Sequence, residues 1–549
     1  MKIVLAQLNY HIGNFEANTD KMINNINEAK ANGADLIVFS ELAVCGYPPY
    51  DFLERKEFIQ SCTEGIEKVA KACDGIAAIV GGPEINPEPQ GKNLFNTAYV
   101  LEEGSINQVV RKTLLPNYDV FDEYRYFQPN ILFELVKIKG KKIALTICED
   151  IWDDQPVANA FARDKLYTLS PMDKLMQQKP DFAINIAASP FSYTQVDIRR
   201  DIVRNKARQY KIPFLYVNQV GANTELIFDG NSMVVNRRGD IIDQAHAFKE
   251  DLLTVEIDSL DDAEIKSPKQ EKPIQLIYEA LVAGVKDYFH KMGFTKATLG
   301  LSGGIDSAVT VAIAAEALGK ENVRVLLLPS QYSSDHSITD AVDLANNLGI
   351  DYNIVPIKEI FNTCNFLMSP IFEGKEADVT EENIQARIRG TLLMALSNKF
   401  GHILLNTSNK SEAAVGYGTL YGDMNGGLSV LGDVYKTDVF KLAMYINRDN
   451  EIIPENTIVK PPSAELRPDQ KDSDSLPDYD VLDAILFRYI EKNQSPSEII
   501  EAGYDEATVH KAVRLVNMNE YKRFQTAPTL RISSKAFGIG RRMPLVAKY

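Results

Sequence analysis

Two groups of residues have the types and spacing to do chemistry. The first is Leu299-Gly300-Leu301-Ser302-Gly303-Gly304-Ile305-Asp306-Ser307, an apolar strand that turns on two glycines into a helix from Asp306 to about Leu318. Backbone N–H groups and the positive end of the helix converge at such a turn and make an anion site. Gly303 and Gly304 allow close approach of a bulky oxyanion, Ser302 and Ser307 add hydroxyls, and Asp306 supplies a hard carboxylate for Mg2+. The GxxxxGK[ST] pattern is absent, so this is no Walker site. The second group is Glu41, Lys112 and Cys148, the first and last directly behind apolar runs (Leu36 to Ser40, Ile143 to Ile147). A thiol titrates near ~8.5 and needs a base and a cation to act as a nucleophile, which a glutamate and a lysine would supply. Each motif also has a bland counterpart: a steric glycine turn, a packed core cysteine, solvated surface charges.

Elements must bring these residues together. The 549 residues are too many for one core. Apolar runs at Ile3–Ala6, Ala34–Phe39, Ile76–Val80, Ile143–Cys148, Phe182–Ala188, Phe214–Val217 and Ser232–Val235, with helical patterns at Thr19–Ala31 and Ile198–Tyr210, predict sheets covered by helices. Around 259–272 the composition turns charged and proline-bearing, which marks a boundary: 1–260, a linker 261–273, and 274–549. The second half begins with an amphipathic helix from Ile274 to about Met292. It then alternates strands (Ala297–Leu301, Val323–Leu328, Tyr352–Val355, His402–Asn406) with helices (Ile338–Leu348, Asn383–Lys399). That alternation predicts a doubly wound parallel sheet with its ligand crevice at the strand C-termini. Gly416–Gly427 is expected to be mobile, and Pro461–Asp480 reads equally as a lid or a disordered loop. Asn406-Thr407-Ser408-Asn409-Lys410-Ser411-Glu412 leaves one of the strands at its C-terminal end. There Glu412 could complete a Mg2+ site with Asp306, and Thr407 and Lys410 could contact phosphates, or the segment could simply cap the next helix.

A net charge of -16 argues against nucleic acid or an anionic membrane as partner. Five cysteines without a CxxC pair, and no signal-peptide anatomy, predict a cytoplasmic location.

Three local strings resemble the Glu-Lys-Cys triad of the nitrilase superfamily: Phe39-Ser40-Glu41-Leu42, Arg111-Lys112-Thr113-Leu114-Leu115-Pro116 and Ile147-Cys148-Glu149-Asp150. Phe121-Asp122-Glu123-Tyr124-Arg125 resembles the glutaminase variant found in the glutamine-dependent NAD+ synthetases. That resemblance implies that Glu123 assists catalysis, that Tyr47, Tyr118 and Trp152 wall the glutamine pocket, and that Ser189 contacts the amino-acid end. The family often places a basic residue after Ser189, where this chain has Gln195.

The string SGGIDS resembles the pyrophosphate loop of the N-type ATP pyrophosphatases, and motifs to the chain's end resemble the synthetase half of the same family. By that resemblance Ser302, Gly303, Gly304, Asp306, Ser307, Thr407, Lys436 and Ser463 serve ATP and pyrophosphate. Asn383, Arg387, Lys410 and Asp423 serve deamido-NAD+, and Asp306 and Glu412 hold Mg2+. The implied architecture is α/β: a nitrilase-like α-β-β-α sandwich followed by an adenine nucleotide alpha hydrolase-like domain. The implied activity is glutamine hydrolysis coupled to ATP-dependent amidation of deamido-NAD+, in a homo-oligomer with small-molecule partners. The alternatives are another ATP-dependent amidation, of a different carboxylate or carbonyl, and a non-catalytic binding protein on this scaffold.

Overall fold

The computed structural model describes residues 1–154, 165–266, 271–468, 470, 472–474 and 476–547. Parts of the expected linker (267–270) and of the proline-bearing loop (469, 471, 475) lie outside the described residues. The chain divides into two compact units, Met1–Glu271 and Lys272–Tyr549.

The first unit holds fourteen described strands: β1 Lys2–Gln7, β2 Leu36–Val38, β3 Ala77–Ile85, β4 Leu94–Glu102, β5 Ser105–Arg111, β6 Val136–Ile138, β7 Lys141–Ile147, β8 Phe182–Ala187, β9 Phe214–Asn218, β10 Val220–Asn223, β11 Leu226–Asp229, β12 Met233–Val235, β13 Ile241–Gln244 and β14 Asp251–Glu256. Two six-stranded mixed sheets form, in the orders β14-β1-β2-β3-β4-β5 and β13-β12-β9-β8-β7-β6, and β10-β11 is a separate hairpin. Period-2 alternation explains why the sheets stack. Ile3, Leu5, Leu36, Val38, Ala77 and Ile79 join Ile143, Leu145, Ile184 and Leu215 of the other sheet in one core. Their neighbours Val4, Ala6, Ile37, Ala78 and Val80 pack instead with Met22, Ile26, Ile66 and Val69 of two covering helices, Phe15–Ala31 and Lys56–Ala72. Met172, Ile202, Val203 and Ala207, on helices Pro171–Met176 and Gln195–Tyr210, are part of the inter-sheet core cluster.

The second unit carries β15 Ala297–Gly300, β16 Val323–Leu327, β17 Asp351–Ile354, β18 Ile403–Asn406 and β19 Leu428–Ser429, all parallel in the order β17-β16-β15-β18-β19. Winding reverses between β15 and β18, which opens a crevice at their C-terminal ends. The Ser302–Ser307 turn leaves β15 there, and the Thr407–Glu412 segment leaves β18 beside it.

Helix starts were the least legible feature. The helix expected from Thr19 begins at Phe15, because the Asn14 side chain accepts the Ala17 N–H. The one expected from Asn383 begins at Val379, where Asp378 and Glu381 form a capping box. The glycines of 416–427 have a packing reason. A Cβ on Gly422 would lie 2.9 Å from the Ala386 backbone and one on Gly426 2.9 Å from the Asn406 N, so this loop lies tight against its neighbours.

Candidate active sites

Glu41, Lys112 and Cys148 follow three different strands, and the first unit buries all three in one place. Glu41 and Lys112 are 0% exposed and Cys148 and Glu123 5%. The Lys112 ammonium donates to Glu41 Oε1 at 2.7 Å and to both Glu123 oxygens at 2.9 and 2.8 Å. Asn96 Nδ2 donates to Glu41 Oε1 at 2.7 Å and to Glu123 Oε2 at 3.3 Å, and the Ala188 N–H donates to Glu41 Oε2 at 2.9 Å. Tyr47 donates its hydroxyl to Glu123 at 3.0 Å. Two buried carboxylates around one ammonium are tolerable because donors satisfy their oxygens.

Burial pushes the Glu123 carboxyl up to about 7, against the pull of Lys112. It also pushes the Cys148 thiol well above its ordinary value, as does Glu41, with Lys112 acting the other way. The resting sulfur is therefore a thiol, and attack requires a base to take its proton.

Tyr118 and Tyr167 both donate hydroxyls to Glu149 Oε1, at 2.8 and 2.9 Å, next to Cys148. Asn96, Glu149 and Tyr167 were not singled out from sequence. Glu149 stands inside a quoted motif, whereas Asn96 and Tyr167 carry no local signal. Trp152 is half-buried against the inter-sheet core. Ser189 is half-buried, its main chain held by the Asn218 side chain at 2.9 and 3.2 Å. Gln195 opens a helix on which the following cations are committed, Arg199 to buried Asp229 and Arg200 to Asp197.

In the second unit Gly303 has φ +79°, and a Cβ there would sit 2.2 Å from the Ser337 carbonyl oxygen. Ser302 and Ser307 hydroxyls lie 3.1 Å apart, and the Gly304 N–H donates to Ser302 at 3.2 Å. The helix Ile305–Leu318 starts at Gly304 with no side-chain cap, which leaves its positive end open to an anion. Lys436 bridges Asp306 at 2.5 Å and Glu412 at 3.2 Å, and Asn409 donates to Asp306 at 2.8 Å. Burial pushes the Glu412 carboxyl up to about 8, with Lys436 opposing and Asp306 adding to the rise.

Among the described residues no group of three or more His, Cys, Asp or Glu is gathered for a metal. Two carboxylates converging on one cation beside a phosphate-type turn do suit Mg2+, which takes one or two carboxylates and completes its shell with phosphates and water.

Other expected residues scatter more. Thr407 is half-buried at the end of β18. Asn383 accepts the Thr419 hydroxyl at 2.7 Å, and Asp423 accepts the Thr419 N–H at 2.6 Å, so these two share a partner. Arg387 lies along an apolar cavity of about 540 Å³ with Ile360, Cys364, Phe372 and Ile384. Ser463 is exposed and bonds within its own loop, to the Gln470 carbonyl.

Lys410 departs from expectation. It is 0% exposed and pairs with Asp433 at 2.8 Å and Glu491 at 2.9 Å, and it also donates to Ser533 and the Lys535 carbonyl. Its ammonium is thus committed to a buried network that ties down the C-terminal segment, and it does not face phosphates. Among the described residues no helix is long and apolar enough to cross a membrane.

The carbon-nitrogen hydrolase family matches residues 2–266 and the NAD synthase family residues 277–526. The chain is 48% identical over 555 residues to a glutamine-dependent NAD(+) synthetase of Synechocystis, covering 100% of this chain and 99% of that one. It is 42% identical to the protein of that name in Thermotoga maritima, again covering 100% and 99%. The solved structure of a glutamine-dependent NAD+ synthetase from Acinetobacter baumannii in complex with ADP superposes with a TM-score of 0.78 at 41% identity, covering 99% of this chain and 98% of that one. With both units matched end to end, the chain belongs to the glutamine-dependent NAD+ synthetases.

Proposed function

We propose the following division of labour. In the first unit, Cys148 attacks the side-chain amide carbon of glutamine while Glu41 takes the thiol proton. Lys112 faces the oxyanion that forms, where a fixed charge in a water-poor site acts strongly. Glu41 returns the proton to the departing ammonia, and water activated by Glu41 then cleaves the thioester to glutamate. Glu123, tied to Lys112 and Tyr47, keeps the ammonium in place. Tyr47, Tyr118 and Trp152 wall the substrate, Ser189 meets its amino-acid end, and the Glu149 carboxylate suits its α-ammonium.

In the second unit the nicotinate carboxylate of deamido-NAD+ attacks the α-phosphorus of ATP. Pyrophosphate leaves into the Ser302–Ser307 turn, and ammonia then displaces AMP. Asp306 and Glu412 would hold Mg2+, which neutralises phosphate charge when bound. Thr407, Lys436 and Ser463 contact phosphates, and Asn383, Arg387 and Asp423 hold the dinucleotide. A cytoplasmic homo-oligomer belongs to the proposal. What favours the oligomer is the apolar face of helices Lys358–Met368 and Val379–Phe400, near which Phe366 and Ile371 are 77% and 73% exposed. We assign a second copy of the chain to it; sedimentation of a Phe366→Glu chain should show monomers, and an unchanged mass would refute this.

The observation that carries the reading is the buried Glu41–Lys112–Glu123 array at Cys148, in one chain with an open phosphate-type turn beside Asp306, Lys436 and Glu412. A coupled assay of glutamate and NAD+ tests it. Glutamate and NAD+ should form together with glutamine, ATP and deamido-NAD+, and ammonium should replace glutamine. Glutamate formation indifferent to deamido-NAD+, with no NAD+ made, would refute it.

A further inference from the structure

Asp150 stands two residues beyond Cys148, takes no part in the chemistry above, and is only 2% exposed. Its Oδ1 accepts the N–H groups of Thr113 at 3.0 Å and Leu114 at 2.9 Å, and its Oδ2 accepts the N–H of Ile147 at 3.0 Å. These donors flank the two reacting side chains: Thr113 and Leu114 follow Lys112, and Ile147 precedes Cys148. β5 ends at Arg111, and beyond it Lys112 still finds main-chain partners in Asn96 and Asn130. Thr113 and Leu114 have left the ladder yet are buried, and their N–H groups would be costly without an acceptor. On the other side Cys148 holds φ +43°, a left-handed backbone that persists in a non-glycine residue only where its surroundings enforce it.

We infer that Asp150 is a positioning residue of the glutaminase site, one carboxylate that pins the Lys112 segment to the Cys148 turn and so sets the distance from ammonium to sulfur. This rests on the reading of Cys148 as nucleophile. A carboxylate suits the place because all three partners are donors. An asparagine would keep one acceptor oxygen and turn an NH2 toward an N–H. Burial pushes the Asp150 carboxyl up to about 7, with the N–H groups of Leu114 and Ile147 pulling it back, so the test is run at pH 8.5.

The experiment compares full-length Asp150→Asn, Asp150→Ala and Cys148→Ala chains. It reads kcat and KM for glutamate release, ammonia-dependent NAD+ formation, thermal unfolding, and the pH profile of iodoacetamide alkylation on the Cys148 peptide. A misplacement of about 1 Å in a reacting group costs about 100-fold. Asp150→Asn should therefore lower kcat about 100-fold with KM nearly unchanged. Its alkylation midpoint should move to higher pH as Lys112 leaves the sulfur, with ammonia-dependent synthesis kept. If Asp150→Ala fails to fold, the milder Asp150→Asn carries the test. Wild-type kcat and alkylation in Asp150→Asn overturn the inference, and so does activity lost only in step with folded protein. Glutamate release by Cys148→Ala would instead overturn the nucleophile reading, which separates the two failures.

Discussion

The two sites are built on opposite principles. In the first unit the reacting groups satisfy one another before any substrate arrives: Lys112 is shared by Glu41 and Glu123, and Asn96, Tyr47 and the Ala188 N–H complete the carboxylates. In the second unit the Gly304 helix end is uncapped, and Lys436 spans two carboxylates at the edge of a crevice. The difference follows the substrates. A neutral amide brings no charge, so the site attacking it must carry its own charges in balance. A triphosphate brings several, so its site must leave N–H groups and carboxylates ready to exchange partners.

The largest test of this contrast is Cys148→Ala. Removing the nucleophile should cut glutamine-dependent NAD+ formation by about 10^4-fold or more and leave the ammonia-dependent rate. Loss of both rates in folded protein would break the separation between the sites. Lys112→Met comes next. It removes the oxyanion's cation, about 10^2- to 10^3-fold in glutaminase kcat. It also strands two buried carboxylates, so the first unit should lose about 3–5 kcal/mol in denaturant unfolding. Unchanged stability would show that the array is less self-contained than its geometry implies.

In the second unit Asp306→Asn or Glu412→Gln should slow adenylation, read as pyrophosphate release, by about 10^2-fold, since each removes one charge of the set facing the phosphates. Stability should change far less than for Lys112→Met, because each variant leaves Lys436 one carboxylate partner; a larger loss would erase the contrast. Gly303→Ala should have the smallest effect on chemistry. Its Cβ meets the Ser337 carbonyl and its φ is left-handed, so it should cost about 1–3 kcal/mol in stability. ATP affinity, measured by calorimetry, should weaken with it.

Legibility tracked how local each signal was. Glu41 and Cys148 stand directly behind apolar runs, and the local strings around them, Lys112 and Glu123 resemble a known family's motifs, so the resemblance exposed all four. Asn96 and the Ala188 N–H reach Glu41 from β4 and from the end of β8, and no string around either residue points there. Lys410 shows the opposite failure: its string suggested a phosphate contact, but the helix that it begins turns it toward Asp433 and Glu491. Helix starts slipped because Asn14 and Asp378 cap upstream of the apolar periodicity that announces a helix.

By itself the sequence determined the alternation of apolar runs and helices, hence helix-covered sheets in the first half and a doubly wound sheet in the second, while the sandwich was implied by the family resemblance. It also determined which strand ends carry reactive types, because periodicity and turn chemistry act between neighbours in the chain. Only the tertiary structure decided which donors satisfy each buried carboxylate, that Asp150 ties the Lys112 segment to the Cys148 turn, and that Lys436 rather than Lys410 meets Asp306 and Glu412. The physical reason is that burial forces every charge to find a partner, and in a packed fold that partner comes from whichever segment lies across the core.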